Sequence, residues 1–344
     1  MTDNETISEN ASDQIMPPPF YQSELRTGIV LGVISSIAYS AANLALREVA
    51  IPGDLDWAIW VTALKAVPAA IVAWLLIGIR VWKKLPALPP RALVVKLILA
   101  ALLMQYGGNL CFQWSLTLGG LAVSVPLCFA VLIVTGAWLG RIFLGDVLSV
   151  RTRWAIGILG VSIFFLTAGA QAATASIHGQ ATSLIILAAV AAAGFSGFAY
   201  GVCGVIIRSL TQNLSLSASL VIFSTVGVVT LVSHTLLTAD HQRILDGTRI
   251  YWQPLLASGV LNAIAFFAVA GALKRVPVTF VNLLNTTQNA MCALAGVLMF
   301  KEPLTIPLVI GCVLTLIGLM LVDSGKNPVS EPSCAEVNQT DAGD

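Results

Sequence analysis

Ten apolar segments recur along this sequence, each about as long as a helix that crosses a membrane, with short polar turns between them. They cover residues 27–46, 57–79, 93–117, 121–144, 154–171, 182–207, 215–238, 254–273, 277–299 and 305–322. An α-helix needs about 20 residues to span the ~30 Å hydrocarbon core of a bilayer. The unbroken alternation of apolar and polar residues that is typical of a membrane barrel is absent. The sequence therefore predicts an all-α membrane protein with ten transmembrane helices.

The composition excludes most soluble classes of protein. Hydrophobic residues make up 57% of the chain and charged residues 10%, and the mean hydropathy is +0.88. A soluble domain carries about 25% charged residues, so neither a soluble enzyme nor a disordered scaffold fits this composition. Eighteen Lys and Arg residues against seventeen Asp and Glu residues give a formal net charge of +1. No net field attracts a polyanion, and we expect no nucleic-acid partner.

The positions of the Lys and Arg residues predict the orientation of the segments. If the N-terminus is cytoplasmic, thirteen of these residues fall on the cytoplasmic side and four fall outside, at Arg47, Arg243, Arg249 and Lys301. Cytoplasmic loops of membrane proteins carry an excess of Lys and Arg, so this bias favours that orientation. We expect a multi-pass protein of the cell (inner or plasma) membrane with both termini in the cytoplasm.

The two halves of the chain repeat one another. Ser35 and Tyr39 in the first segment and Arg47 just after it recur at the same spacing as Ser196, Tyr200 and Arg208 in and just after the sixth. The turn 144–149 before the fifth segment likewise matches 300–305 before the tenth. Each half would contain five helices, and because five is odd, the halves enter the membrane in opposite senses. Such an inverted repeat is typical of secondary transporters, in which the substrate binds between the halves near the midplane.

These repeats divide the chain into five parts. The polar, acidic residues 1–26 lack the features of a signal peptide, and we expect a disordered cytoplasmic tail. The first five-helix repeat spans 27–170, an external linker 171–181, and the second repeat 182–322. Residues 323–344 are again polar and predict a second disordered cytoplasmic tail.

Short motifs in both halves resemble those of the EamA family, which belongs to the drug/metabolite transporter superfamily. Each half carries an acidic turn, Gly145-Asp146-Val147-Leu148 or Lys301-Glu302-Pro303-Leu304, before a last helix that contains glycines. The likeness covers roughly residues 27–322 and includes Lys65 in the second segment. The resemblance implies a ten-helix metabolite carrier, often an exporter of amino acids or related compounds. It also implies that helices 1, 3, 4, 6, 8 and 9 line a central cavity.

Polar side chains line up on one face of several segments, because helical residues three, four or seven apart share a face. The residues with this spacing are Asn282, Asn285 and Asn289 in the ninth segment, Gln105, Asn109 and Gln113 in the third, and Tyr39 and Asn43 in the first. Single polar groups often only join neighbouring helices, whereas three amides on one stripe favour a wetted cavity. We expect the two amide strips to face each other, with Tyr39, Asn43 and Tyr200 closing the substrate site.

Lys65 lies inside the second segment, about 12 Å from its outer end. Every Asp and Glu lies in a tail, in a loop or at a helix end, so no acid in the membrane core is available as its partner. Two interpretations remain open. The side chain either snorkels or bonds backbone carbonyls, or it binds a substrate carboxylate or lines the outer gate.

The same lack of buried acids bears on the substrate. A proton-coupled exporter of cationic drugs generally needs a buried carboxylate, so the sequence favours a neutral or zwitterionic substrate. No nucleophile–base pair occurs, and no Cys or His spacing is typical of a metal site. We therefore predict no catalytic residue, no metal and no cofactor.

These observations together predict a secondary transporter that exports a small, amino-acid-like metabolite by alternating access, and not an enzyme. The alternative is a non-transporting membrane receptor or assembly scaffold built on the same fold. The expected partners are a small-molecule substrate and the lipid bilayer. The sequence leaves open whether the protein forms a homodimer.

Overall fold

The computed structural model describes residues 19–86, 88–144, 149–178, 182–211, 216–275, 281, 284–285 and 287–321. Every regular element within these residues is helical, which confirms the all-α fold class. The elements are α1 (Pro19–Glu48), α2 (Leu55–Trp82), α3 (Arg91–Leu102), a π-helix (Leu103–Leu110), α4 (Cys111–Leu144), α5 (Val150–His178), α6 (Ser183–Thr211), α7 (Leu216–Thr238), α8 (His241–Ile250), α9 (Trp252–Leu273), α10 (Thr287–Phe300) and α11 (Ile306–Leu321).

Seven helical stretches in the described part of the chain are long and apolar enough to cross a membrane. One of them, Arg91–Phe143, has 53 residues, which is enough for two crossings at about 1.5 Å per residue. Two shorter apolar helices, Thr287–Phe300 and Ile306–Gly318, fall within the ninth and tenth predicted segments. The chain is therefore a multi-pass membrane protein, while the count of ten spans and the inverted repeat stay predictions.

Several element boundaries differ from those expected. α1 begins at Pro19, within the predicted tail, and α5 continues to His178, through most of the predicted linker 171–181. α8 lies in a loop for which the sequence predicts no helix. The remainder of the two tails, the turn around Asp146, and Asn282 lie outside the described residues.

α8 covers the N-terminal end of α2. Trp57 of α2 is 2% exposed, and Trp60 donates its indole hydrogen to Thr248 Oγ1 of α8 at 2.8 Å. Arg243 of α8 forms an ion pair with Asp54, the residue that caps the start of α2. These contacts hold an amphipathic surface helix over two tryptophans, where the sequence alone predicts a loop.

The third and fourth predicted segments are joined by a break at Gly120. Its φ of 73° and ψ of −175° interrupt α4, so the chain turns without a separate loop. Glycine adopts such a φ readily, whereas a side chain there would be strained. A Cβ at this position would also meet the carboxylate of Glu302. Gly120 thus separates the helix 111–119 from the helix 121–144.

The side chain of Glu302 fills this break. Its carboxylate accepts hydrogen bonds from the backbone amides of Leu121 (3.0 Å) and Ala122 (2.9 Å) and pairs with Arg47 Nε at 2.9 Å. The Glu302 side chain is 1% exposed. The first amides of a helix lack intrahelical partners, so a carboxylate there caps them and complements the helix dipole. Glu302 lies in a turn as expected, but it is a buried acid that joins α1, α4 and the α10–α11 connection.

α6 packs closely on α4 because glycines, which have no side chain, lie at the contact between the two helices. A Cβ added at Gly197 would meet the backbone of Cys128 and Leu132, and one added at Gly201 would meet Thr135. Small residues let two helix backbones approach each other in this way. The other extensive pairings are α1 with α9, α2 with α7 and α5 with α11.

Glu302→Gln should strongly destabilise the protein. The amide keeps the size of the side chain, but it leaves Arg47 without its counter-charge and offers one acceptor oxygen to two backbone amides. Removing one partner of a buried ion pair costs about 3–5 kcal/mol. Thermal unfolding of the purified chain in detergent measures the loss. The control is Glu48→Gln, which removes the same charge from an exposed position beside Arg47. Equal melting temperatures for the two variants would contradict the role assigned to Glu302.

Candidate substrate-binding site

The π-helix carries two of the predicted amides and links α6 to α7. Tyr200 of α6 donates its hydroxyl hydrogen to Asn109 Oδ1 at 2.8 Å, and Asn109 Nδ2 donates to Gln105 Oε1 at 2.9 Å. Gln105 Nε2 then donates to the carbonyl of Phe223 in α7 at 2.9 Å. π-Helical turns are rare and frequently occur at functional sites. Tyr200, Asn109 and Gln105 therefore form one hydrogen-bonded chain across three helical elements.

Two glycines make room for this chain. A Cβ at Gly108 would lie 2.7 Å from the ring of Tyr200, and one at Gly227 of α7 would overlap the amide of Gln105. Both contacts require a residue without a side chain. In the sequence, the Gly107-Gly108 pair inside an apolar segment indicates this close contact. The spacing of the polar residues does not.

A second group of polar residues joins α1 to α10 and to Asn285 just before it. The contacts across this interface are Ser35 Oγ to Asn285 Oδ1 (3.4 Å), Ser36 Oγ to Thr287 Oγ1 (2.6 Å) and Asn43 Nδ2 to Cys292 Sγ (3.9 Å). Asn285 Oδ1 also accepts a hydrogen bond from Gln288 Nε2 at 3.0 Å. Asn43 and Asn285 thus have partners within the protein, as polar side chains between neighbouring membrane helices often do.

Lys65 is 4% exposed, and within the described residues its ammonium group makes no hydrogen bond and no ion pair. It lies near the thiol of Cys128 on α4, and Tyr200 lies near both Cys128 and Tyr39. Tyr200 and Cys128 also pack in one buried cluster, together with Leu64 beside Lys65. Lys65, Tyr39 and Tyr200 therefore lie in one region between α1, α2, α4 and α6. A buried cation without a counter-charge is costly, so an anionic group would be stabilised there.

Two further predicted residues have unused hydrogen-bonding groups. Asn289 is 1% exposed, and both polar atoms of its side chain lack a partner within the described residues. Gln113 is fully buried and donates to the carbonyl of Leu46 at 3.3 Å, while its Oε1 has no partner in that part of the chain. An unsatisfied buried polar group costs about 1–3 kcal/mol. These atoms could therefore bind a ligand or water.

The structure does not join the two amide strips directly. In the described part of the chain no hydrogen bond connects α10 to the π-helix, because α10 packs against α1 and α4. That both strips contact one substrate stays a prediction. Among the described residues, no group of three or more His, Cys, Asp or Glu side chains could hold a metal ion.

Comparison with known proteins finds a family model that matches the second half of the chain. The model of the EamA-like transporter family matches residues 183–323, which confirms the resemblance to this family and its superfamily. No curated protein matches the sequence. One matching solved structure, described only as the crystal structure of a protein, is 16% identical with a TM-score of 0.59. The match covers 86% of this chain and 97% of that one, so the two share a fold over most of their length.

Asn109→Leu should destabilise the protein, whereas Asn289→Leu should not. Asn289 loses no hydrogen bond within the described residues, so the apolar variant should melt at an equal or higher temperature. Asn109 bonds both Tyr200 and Gln105, and its loss should cost about 1–3 kcal/mol because a buried partner is left unsatisfied. Melting curves of the two purified variants measure this difference. A lower melting temperature for Asn289→Leu than for Asn109→Leu would show that Asn289 has a structural role.

Proposed function

We propose that this chain, whose residues 183–323 match the EamA-like transporter family, is a secondary transporter. It exports a small neutral or zwitterionic metabolite that resembles an amino acid, and it does so by alternating access. The observation that carries the proposal is the buried ammonium of Lys65, which has no counter-charge among the described residues. A group that is this costly in a membrane protein is typically functional.

In this proposal each group of polar residues has a part in binding. Lys65 binds the carboxylate of the substrate, and the faces of Tyr39 and Tyr200 accept its ammonium group through cation–π contacts. The remaining polar atoms of the substrate are bound by amide side chains. These amides belong to Asn43, Gln105, Asn109, Gln113, Asn282, Asn285 and Asn289. The buried carboxylate of Glu302 is already bonded to Arg47 and two backbone amides, and none of the proposed binding residues is acidic, so these residues favour a zwitterion or a neutral solute over a cation.

The proposal includes ten transmembrane helices arranged as two inverted repeats, 27–170 and 182–322. Helix pairing supports it, since α2 packs on α7 and α5 on α11. These are the second and fifth helices of one half, each against its counterpart in the other half. An axis that relates the halves in the membrane plane produces such contacts.

Reconstituted flux is the test of transport. Liposomes that contain the purified chain should release zwitterionic amino acids faster than cationic analogues. Lys65→Met should weaken the apparent affinity for a zwitterion about 10- to 150-fold, because a hydrogen bond to a charged group contributes about 1.5–3 kcal/mol. Lys65→Arg should retain part of it, and Lys274→Met, at an exposed position, should resemble the wild type.

Two negative outcomes of this experiment would contradict different parts of the proposal. Absence of flux for every class of solute, with well-folded protein, would contradict transport and favour a receptor or scaffold. Flux that Lys65→Met leaves unchanged would contradict the role of Lys65 alone.

The proposed orientation has both termini in the cytoplasm, with the loops 80–92 and 145–153 inside and 47–56 and 239–253 outside. The distribution of Lys and Arg supports it. Single cysteines in a cysteine-free background should react with an impermeant reagent in intact cells at 47–56 and 239–253. Reaction from outside at 85–90 would overturn this orientation of the protein.

A further inference from the structure

An apolar groove of about 780 Å³ runs between α2 and α7 on the outer surface of the bundle. Trp82 aside, its lining is apolar apart from the hydroxyl of Thr225 and the indole of Trp74. These two groups bond each other, since Trp74 Nε1 donates to Thr225 Oγ1 at 2.9 Å. The groove therefore presents only hydrocarbon and aromatic surface to whatever fills it.

The groove is long enough to hold an acyl chain of a lipid. It extends along α2 from Val67 to Trp82, which corresponds to about 22 Å at 1.5 Å per residue. One leaflet contributes about half of the ~30 Å hydrocarbon core, so the groove is long enough for an acyl chain of one leaflet. The wall includes Gly78, where an added Cβ would meet no atom within 4 Å, so the missing side chain leaves space for a ligand.

Positive charge lies at one end of the groove. Trp82 is the last residue of α2 and lines the groove, and the exposed Lys83 and Lys84 follow it directly. No Asp or Glu occurs between Trp57 and Gly145 in the sequence. Within the described residues neither lysine forms an ion pair. The two ammonium groups are thus available to a phosphate at the membrane surface.

We propose that this groove is a binding site for an anionic phospholipid. An acyl chain lies between α2 and α7 against Trp74 and Gly78, and the headgroup phosphate contacts Lys83 and Lys84. Charge complementarity selects the headgroup, because cations at the bilayer surface attract anionic lipids at about 1 kcal/mol per residue. Trp82 lies at the depth of the headgroups, where tryptophan is enriched.

Native mass spectrometry of the full-length chain in detergent tests the site, with phosphatidylglycerol and phosphatidylcholine of identical acyl chains. The wild type should bind phosphatidylglycerol more tightly. Lys83→Gln/Lys84→Gln should weaken phosphatidylglycerol binding about 30-fold and leave phosphatidylcholine binding unchanged. The matched control is Arg151→Gln/Arg153→Gln, which removes two exposed cations at the start of α5 and should resemble the wild type.

A second pair of variants tests the groove itself. Gly78→Phe places a ring in the open space and should weaken the binding of both lipids. Gly157→Phe adds the same ring at an open position on α5 and should have no effect. Equal binding of the two lipids by the wild type would overturn the proposal. So would a Lys83→Gln/Lys84→Gln variant that matches its control, or a Gly78→Phe variant that matches Gly157→Phe.

Discussion

The carboxylate of Glu302 at the break in α4 is the interaction on which the arrangement of the other helices depends. A helix that restarts inside a membrane protein exposes backbone amides that no water can satisfy. Glu302 bonds two of them, and Arg47 neutralises the charge while its guanidinium lies 5.4 Å from the centre of the Phe300 ring. Because the cap comes from the far end of the chain, the start of the helix 121–144 is held against α1 and the α10–α11 connection.

This cap determines where the residues of α4 meet α6. Cys128 is on the helix that begins after Gly120, and it accepts a hydrogen bond from Ser196 of α6 at 3.1 Å. The next residue of α6 is Gly197, whose lack of a side chain permits the close contact. One turn later, Tyr200 of α6 donates its hydroxyl hydrogen to Asn109 of the π-helix. The geometry of the candidate site therefore depends on a distant acid and on glycines as much as on its own polar groups.

The sequence predicted what depends on local composition and could not predict what depends on distant partners. Apolar length identifies most of the helices, because each must satisfy its own backbone hydrogen bonds. The burial of Glu302 was not predictable, since the amides that it caps lie about 180 residues earlier in the chain. Helical spacing grouped Gln105 with Asn109 correctly, but it did not reveal that a π-helix holds them or that Tyr200 and Phe223 are their partners. α8 was missed because a short amphipathic helix has no long apolar run.

The polar residues of the core fall into two groups, and the difference between them bears on function. Ser162 and Thr315, whose hydroxyls lie 2.5 Å apart, join α5 to α11 and are satisfied by each other, as Asn109 is by Tyr200 and Gln105. Asn289 is 1% exposed and both polar atoms of its side chain lack a hydrogen-bond partner within the described residues, while Lys65 is 4% exposed and forms no ion pair there. Apolar side chains at those two positions would make the fold more stable, since unsatisfied buried polar groups oppose folding. Residues that break a local rule of stability without compensation are concentrated at functional sites. The satisfied residues therefore hold the helices together and would have to exchange these hydrogen bonds in order to bind a substrate, whereas Lys65 and Asn289 could bind one directly.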